Sequence, residues 1–199
     1  MLVAVLAFSA GASADATGYR IKDDGGSRIS FASDAPLETI TGVSSDVGGD
    51  LSIDPQDPSK TTGKVRVKTA SIKTGVELRD EHLRGDGWLD SERFPFSYFE
   101  ITKVSGAKQL KANKDTKVTV EGKFTLHGVT KEVKTVANVK WIPFTDDMKG
   151  TPGITGDIVR VKSSFTIKLT DYGVSVPSLV RLKVANEIKI DVDLRASAK

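Results

Sequence analysis

The chain has 199 residues, 38% of them hydrophobic and 28% charged, with a net charge of +3. That suffices for one core, and Lys and Arg scattered among Asp and Glu leave no basic stripe, so no nucleic-acid partner is expected. There is no Cys, which excludes disulfides, thiol chemistry and Cys-ligated metals and leaves core packing to hold the domain together.

The chain opens MLVAVLAFSAGASA, with Leu2–Phe8 apolar and Ala12-Ser13-Ala14 in small-x-small spacing. A secretory signal peptide is expected over residues 1–14, cut after Ala14, with the mature domain over 15–199 in the periplasm. No Lys or Arg precedes the apolar run. The run falls far short of the roughly 20 residues of a spanning helix, so cleavage is expected rather than anchoring.

Tyr19–Lys22 and Arg28–Ser33 read as a first hairpin about the turn Asp23–Ser27, and a second strand pair surrounds Ile40–Ile53. Gly42, Gly48 and Gly49 inside that pair mark bulges or barrel corners. Gly63–Ile72 then alternates, with Val65 and Val67 on one face.

The stretch Ser71–Phe99 is the densest run of unusual residues, holding Arg79, Asp80, His82, Trp88, Phe94 and Phe99. A short helix is predicted at Val76–Gly85, capped by Thr74 with Glu77 three positions on. Gly85 and Gly87 end it. A strand from Phe96 to Val104 follows. Ser105–Thr116, with Lys108, Lys111 and Lys114, reads as a solvated hairpin loop.

The last third alternates most cleanly. Phe124 and Leu126 share a parity with Val118 and Val120, and Trp141 shares one with Ala137 and Val139. Phe165 and Ile167 oppose Thr166 and Lys168. The same period-2 pattern recurs over about eight strands. Strands with one apolar face and only one helix to cover them must stack as a sandwich or close as a barrel. A barrel of this size has room for one small ligand. Facing it with Val, Ile and Ala rather than large aromatics suggests an apolar cavity.

Arg79, Asp80 and His82 invite a catalytic reading, since an Asp can orient a His as general base. Against it, no Ser stands as an evident nucleophile, and residues two apart on a helix do not face each other. A structural network is expected instead, with Arg79 paired to a carboxylate. Arg79 is also the candidate contact for a ligand's polar end, because a guanidinium suits phosphate. With two His in the chain, one of them (His127) at a turn beside Gly128, no metal site is expected. Trp88, Phe94 and Phe99 could stack on an apolar chain or plug the junction between helix and barrel.

Several stretches resemble the YceI family of exported, lipocalin-like proteins. Ser71-Ile72-Lys73-Thr74-Gly75 resembles the family's S-I/V-x-T-G, and Arg79-Asp80-Glu81-His82-Leu83 its R-D-x-H-L. Phe94-Pro95 with Phe99 resembles F/Y-P-x-x-x-F, Gly122–Thr130 resembles G-x-L-T-L-H-G-V/I-T, and Asp171-Tyr172-Gly173 resembles D-F/Y-G. The likeness spans Tyr19 to Leu194. In one departure, Leu169 stands where the family commonly carries a basic residue.

The resemblance implies an all-β fold, an eight-stranded antiparallel lipocalin-like β-barrel with one short helix over one end. It implies binding of a long polyisoprenoid or similar amphiphilic lipid: an isoprenoid quinone, a prenyl phosphate or a fatty-acid derivative. Such a protein has no catalytic residue and no cofactor beyond its bound lipid. The expected wall is Val65, Val67, Phe99, Ile101, Phe124 and Leu126, continued by Trp141, Phe165 and Ile167, with Arg79, Trp88 and Phe94 at the mouth. The alternatives are a lipid-modifying enzyme using Asp80 and His82, or an interaction module with a filled core. Transient membrane contact fits a lipid carrier, and with no obvious exposed strand edge a monomer and a weak dimer are both open.

Overall fold

The computed structural model describes residues 16–152 and 154–199; the leader expected at 1–14 lies outside the described residues. Ten strand segments form one antiparallel sheet: β1 (Thr17–Ile21), β2 (Arg28–Asp34), β3 (Thr39–Ser44), β4 (Val47–Ile53), β5 (Thr62–Lys68), β6 (Phe96–Ser105), β7 (Asp115–Leu126), β8 (Val129–Ile142), β9 (Ile158–Lys168) and β10 (Glu187–Ala198).

The pairing makes these segments eight staves. β1 pairs with β4, and β2 with β3. β10 pairs with β2 along Ile188–Asp193 and with β1 along Ala196–Ala198. So β1 and β2 are two halves of one bent strand, and β3 and β4 are two halves of the next. From there β5 to β10 follow in chain order, and the β10–β1 pairing closes the barrel.

This corrects the first hairpin read from the sequence: Asp23–Ser27 is a kink within a strand. Ser27 explains how the kink is tolerated. Its hydroxyl donates to Arg195 O (3.3 Å) and accepts from Arg195 N–H (3.0 Å), standing in for the interrupted ladder. The second strand pair likewise resolves into two collinear halves.

The helix α1 (Glu77–Arg84) lies between β5 and β6. Its N-cap is Val76, whose side chain caps nothing, so the predicted capping by Thr74 does not form. The link runs the other way. Thr74 N–H and Thr74 Oγ1 both donate to Asp80 Oδ1, each at 2.6 Å, so a carboxylate inside the helix holds the segment before it.

The two ends of the barrel differ. At one end Tyr19, Val47, Val118, Ala137, Val159 and Ala196 pack into a cluster, each at most 2% exposed. The β6–β7 connection folds back over this end. Leu110 is 3% exposed and its N–H donates to Pro55 O at 2.7 Å, while Asn113 N–H reaches Trp141 O at 2.8 Å. The solvated loop expected at Ser105–Thr116 is thus a plug; Lys108, Lys111 and Lys114 point outwards while Leu110 inserts. The other end carries α1, the β2–β3 turn and the long 169–186 connection, and it stays open.

Candidate functional site

A cavity of about 330 Å³ opens at the α1 end. A second, of about 110 Å³, lies deeper in the barrel. Ile29, Val67, Ser97, Phe124 and Ile190 line both, so the two meet at a waist made by β2, β5, β6, β7 and β10. Below them the packed cluster ends the channel. The upper volume alone falls within the range of about 300–1,000 Å³ typical of small-molecule sites.

Alternation puts these side chains inside. Along β6, Ser97, Phe99 and Ile101 point inwards; along β10, Ile188, Ile190, Val192 and Leu194 do. Glycines leave room for the rings. A Cβ on Gly42 would meet the Phe31 ring at 2.2 Å, and one on Gly122 would meet Phe99 at 2.5 Å. Each ring therefore lies against the backbone of a neighbouring strand, flat to the wall instead of across the lumen. Phe124 packs edge-on to both Phe165 (5.5 Å) and Tyr172 (5.6 Å), which fixes the waist. Burial, together with Asp171, pushes the Tyr172 phenol up to about 12, so it stays neutral.

The polar groups on this wall are mostly turned to the backbone. Thr135 Oγ1 donates to Ser164 O and Ser163 Oγ to Val136 O, both at 2.9 Å. Ser97 Oγ donates to Thr125 O at 2.9 Å. Ser71 Oγ donates to Lys68 O at 2.6 Å, so in the Ser44–Ser71 pair (2.7 Å) Ser44 is the donor. A Ser or Thr whose proton is already committed presents mainly its carbon to the lumen, so the channel is more apolar than its composition suggests.

At the mouth, Arg79, His82 and Leu83 of α1 reach the cavity. Arg79 is committed: Nη1 bonds Glu38 Oε1 (2.8 Å), Nε bonds Thr74 Oγ1 (2.9 Å) and Nη2 bonds Thr74 O (3.4 Å). Asp80 is buried beneath the helix, and its two bonds from Thr74 hold its carboxyl below the usual carboxylate range. The expected structural network is therefore present, as the chain Glu38–Arg79–Thr74–Asp80. His82 makes no side-chain hydrogen bond among the described residues and is the uncommitted polar group of α1 at the opening.

Of the residues expected on the wall and mouth, Val67, Arg79, Trp88, Phe124, Leu126 and Ile167 line the upper cavity. Val65, Phe99, Ile101 and Phe165 line the lower one. Two stand elsewhere. Phe94 is turned away from the lumen, its ring 4.9 Å from that of His127. A Cβ on Gly128 would meet it at 2.5 Å. Trp141 lies at the closed end, its indole N–H donating to Asp157 Oδ2 at 2.9 Å. Its parity was inward, but its height along β8 puts it level with the plug.

The upper cavity also takes residues that sequence reasoning passed over. Val174 and Val180 come from the long connection before β10, and Ile72 and Leu89 from the segments flanking α1. No strand alternation governs these segments, so periodicity could not find them.

The YceI-like domain model matches residues 19–196. A UPF0312 protein of Pseudomonas aeruginosa (strain LESB58) is 34% identical over 137 residues, 69% of this chain and 64% of the relative. The match thus covers less than two thirds of that relative's length. A UPF0312 protein of Pseudomonas fluorescens is 40% identical over 96 residues, 47% of each chain. Among solved structures, Burkholderia cenocepacia BcnA superposes with a TM-score of 0.70 at 19% identity, covering 89% of this chain and 99% of its own. A polyisoprenoid binding domain from Saccharophagus degradans superposes with a TM-score of 0.69 at 18% identity, covering 92% and 99%. At these identities the two structures establish the shared fold.

Proposed function

The chain belongs to the YceI-like family, and from that premise we propose that it is a carrier for an amphiphilic lipid with a long apolar chain, a polyisoprenoid or a close relative. The observation that carries the proposal is the barrel interior itself: an apolar cavity open at one end, a second apolar cavity adjoining it at a shared waist, and a packed floor beyond. Such a shape takes an apolar chain tail first and leaves a polar end at the mouth. Each CH₂ buried would contribute about 0.8 kcal/mol. The likeness to a structure described as a polyisoprenoid binding domain supports the same ligand class.

We read the protein as a binder and not as an enzyme. Asp80 spends its carboxylate on Thr74, away from His82, so the two do not form an acid–base pair. The apolar leader supports export to the periplasm, where the carrier would move, store or sequester its lipid.

Native mass spectrometry of protein purified from its host, then mixed with prenyl alcohols and prenyl phosphates, tests the reading. A bound lipid, native or added, is the expected result. No adduct with any of them would overturn it. Turnover of bound lipid that His82→Ala abolishes, with binding intact, would favour the enzyme.

A further inference from the structure

We propose that the rim of the cavity mouth is a docking surface for a lipid bilayer with anionic headgroups. This rests on the carrier reading and adds where the lipid is exchanged.

Among the described residues, the large apolar side chains that stand exposed are Leu37, Val43, Val76, Leu78, Leu179 and Leu182, together with Val136. All but Val136 belong to the segments that frame the opening. Those segments are bonded to one another. Leu37 N–H donates to Leu182 O at 2.9 Å, Val43 and Lys73 exchange backbone bonds at 2.8 and 2.9 Å, and Arg79 of α1 pairs with Glu38 at 2.8 Å. Inward neighbours on the same segments, Ile40, Leu83, Val180 and Val184, line the cavity. The rim therefore has an inner apolar face against the lumen and an outer apolar face against water, with the opening between them.

The connection around Leu179 shows the design most clearly. Val180 and Val184 face the cavity, while Leu179 is 95% and Leu182 53% exposed. Arg181 and Lys183 are exposed between and beside them and make no ion pair among the described residues. From Ser175 to Asn186 there is no carboxylate. Leucines at the tip with unpaired cations beside them suit an interface of acyl chains below anionic headgroups. Elsewhere on the rim, Glu38 is neutralised by Arg79 and Asp80 is buried, leaving Asp34, Glu77, Glu81, Asp86 and Asp171 as exposed acids outside any ion pair among the described residues, none of them within 175–186. The basic 177–184 segment is therefore the one that faces the headgroups. A lipid too apolar to cross water would pass from the bilayer into the channel beneath this segment.

Cosedimentation with vesicles of phosphatidylcholine, with and without phosphatidylglycerol, tests the proposal. Wild type should pellet with the anionic vesicles. Leu179→Ser with Leu182→Ser should weaken that association by about tenfold or more, since two leucines lose their buried site. Arg181→Glu with Lys183→Glu should abolish the preference for anionic vesicles. A prenyl alcohol supplied as monomers in solution should bind all three proteins alike, which shows that the variants fold. Its transfer from vesicles should slow in the leucine variant. Failure of the solution arm in wild type would sink the carrier reading while leaving vesicle binding to be read by itself. Wild type remaining in the supernatant, or a leucine variant that pellets like wild type, would overturn the docking surface. So would a wild-type dimer that the leucine variant dissociates, because a second copy would then cover the rim.

Discussion

At the scale of single residues, the side chains that look most chemical are engaged in holding the fold. Arg79 gives its donors to Glu38 and Thr74. The Arg79–Glu38 pair is partly exposed, so Arg79→Ala should cost no more than about 1 kcal/mol in stability. Because the guanidinium is already committed, the variant should bind a prenyl alcohol and its phosphate with equal loss. A selective loss of the phosphate, measured by titration of both lipids, would make Arg79 a headgroup contact instead. Asp80 predicts a pH dependence. Its folded-state value is depressed, so its bonds to Thr74 contribute fully above the unfolded-state value of about 3.9. They are lost as pH falls through the lower folded-state value, where the carboxyl takes up a proton. The gap in thermal stability between wild type and Asp80→Asn should therefore be constant near neutrality and close only in acid. A gap that closes near pH 7 would contradict this account of Asp80.

At the scale of elements, the motifs that carried the family resemblance resolve into two structural joints. Thr74, Arg79 and Asp80 tie α1 to the β2–β3 turn. The other joint gathers the remaining motifs at the β7–β8 turn. His127 and Gly128 both have positive φ, 50° and 75°, as a tight two-residue hairpin requires. Phe94 packs on the His127 ring and Nδ1 of His127 lies 3.3 Å from Tyr172 O. These motifs were legible as a pattern, but their roles were not, because each role depends on a partner far away in the chain. The plug is a similar case. Leu110 is one apolar residue in a Lys-rich loop, and nothing local marks it as buried. Leu110→Ala should lower stability by about 2–5 kcal/mol in chemical denaturation, with lipid affinity unchanged, since Leu110 does not line either cavity. A loss of affinity would place the plug in the channel.

At the scale of the whole molecule, alternation in the strands narrowed the fold to a sandwich or a closed barrel and marked most of the wall, and the family resemblance decided for the barrel. Alternation could not show that β1/β2 and β3/β4 are kinked staves, since a short polar break between two strands, Asp23–Ser27 or Ser45-Asp46, looks the same as a hairpin turn. Nor could it show height along the axis, which separates Trp141 at the closed end from Phe165 and Ile167 on the channel wall. Height decides function here. A channel with a floor should bind prenyl alcohols more tightly as they lengthen, by about 0.8 kcal/mol per added CH₂, until the tail reaches the closed end. Further units should then add little. The most direct test of the channel is to block its waist. Val67→Phe together with Ser97→Phe fills the passage between the two cavities from adjacent strands. Native mass spectrometry with a long prenyl alcohol should show a lipid adduct on wild type and none, or only a short-chain one, on the folded variant. A variant that takes up the long alcohol as well as wild type would contradict binding inside the barrel.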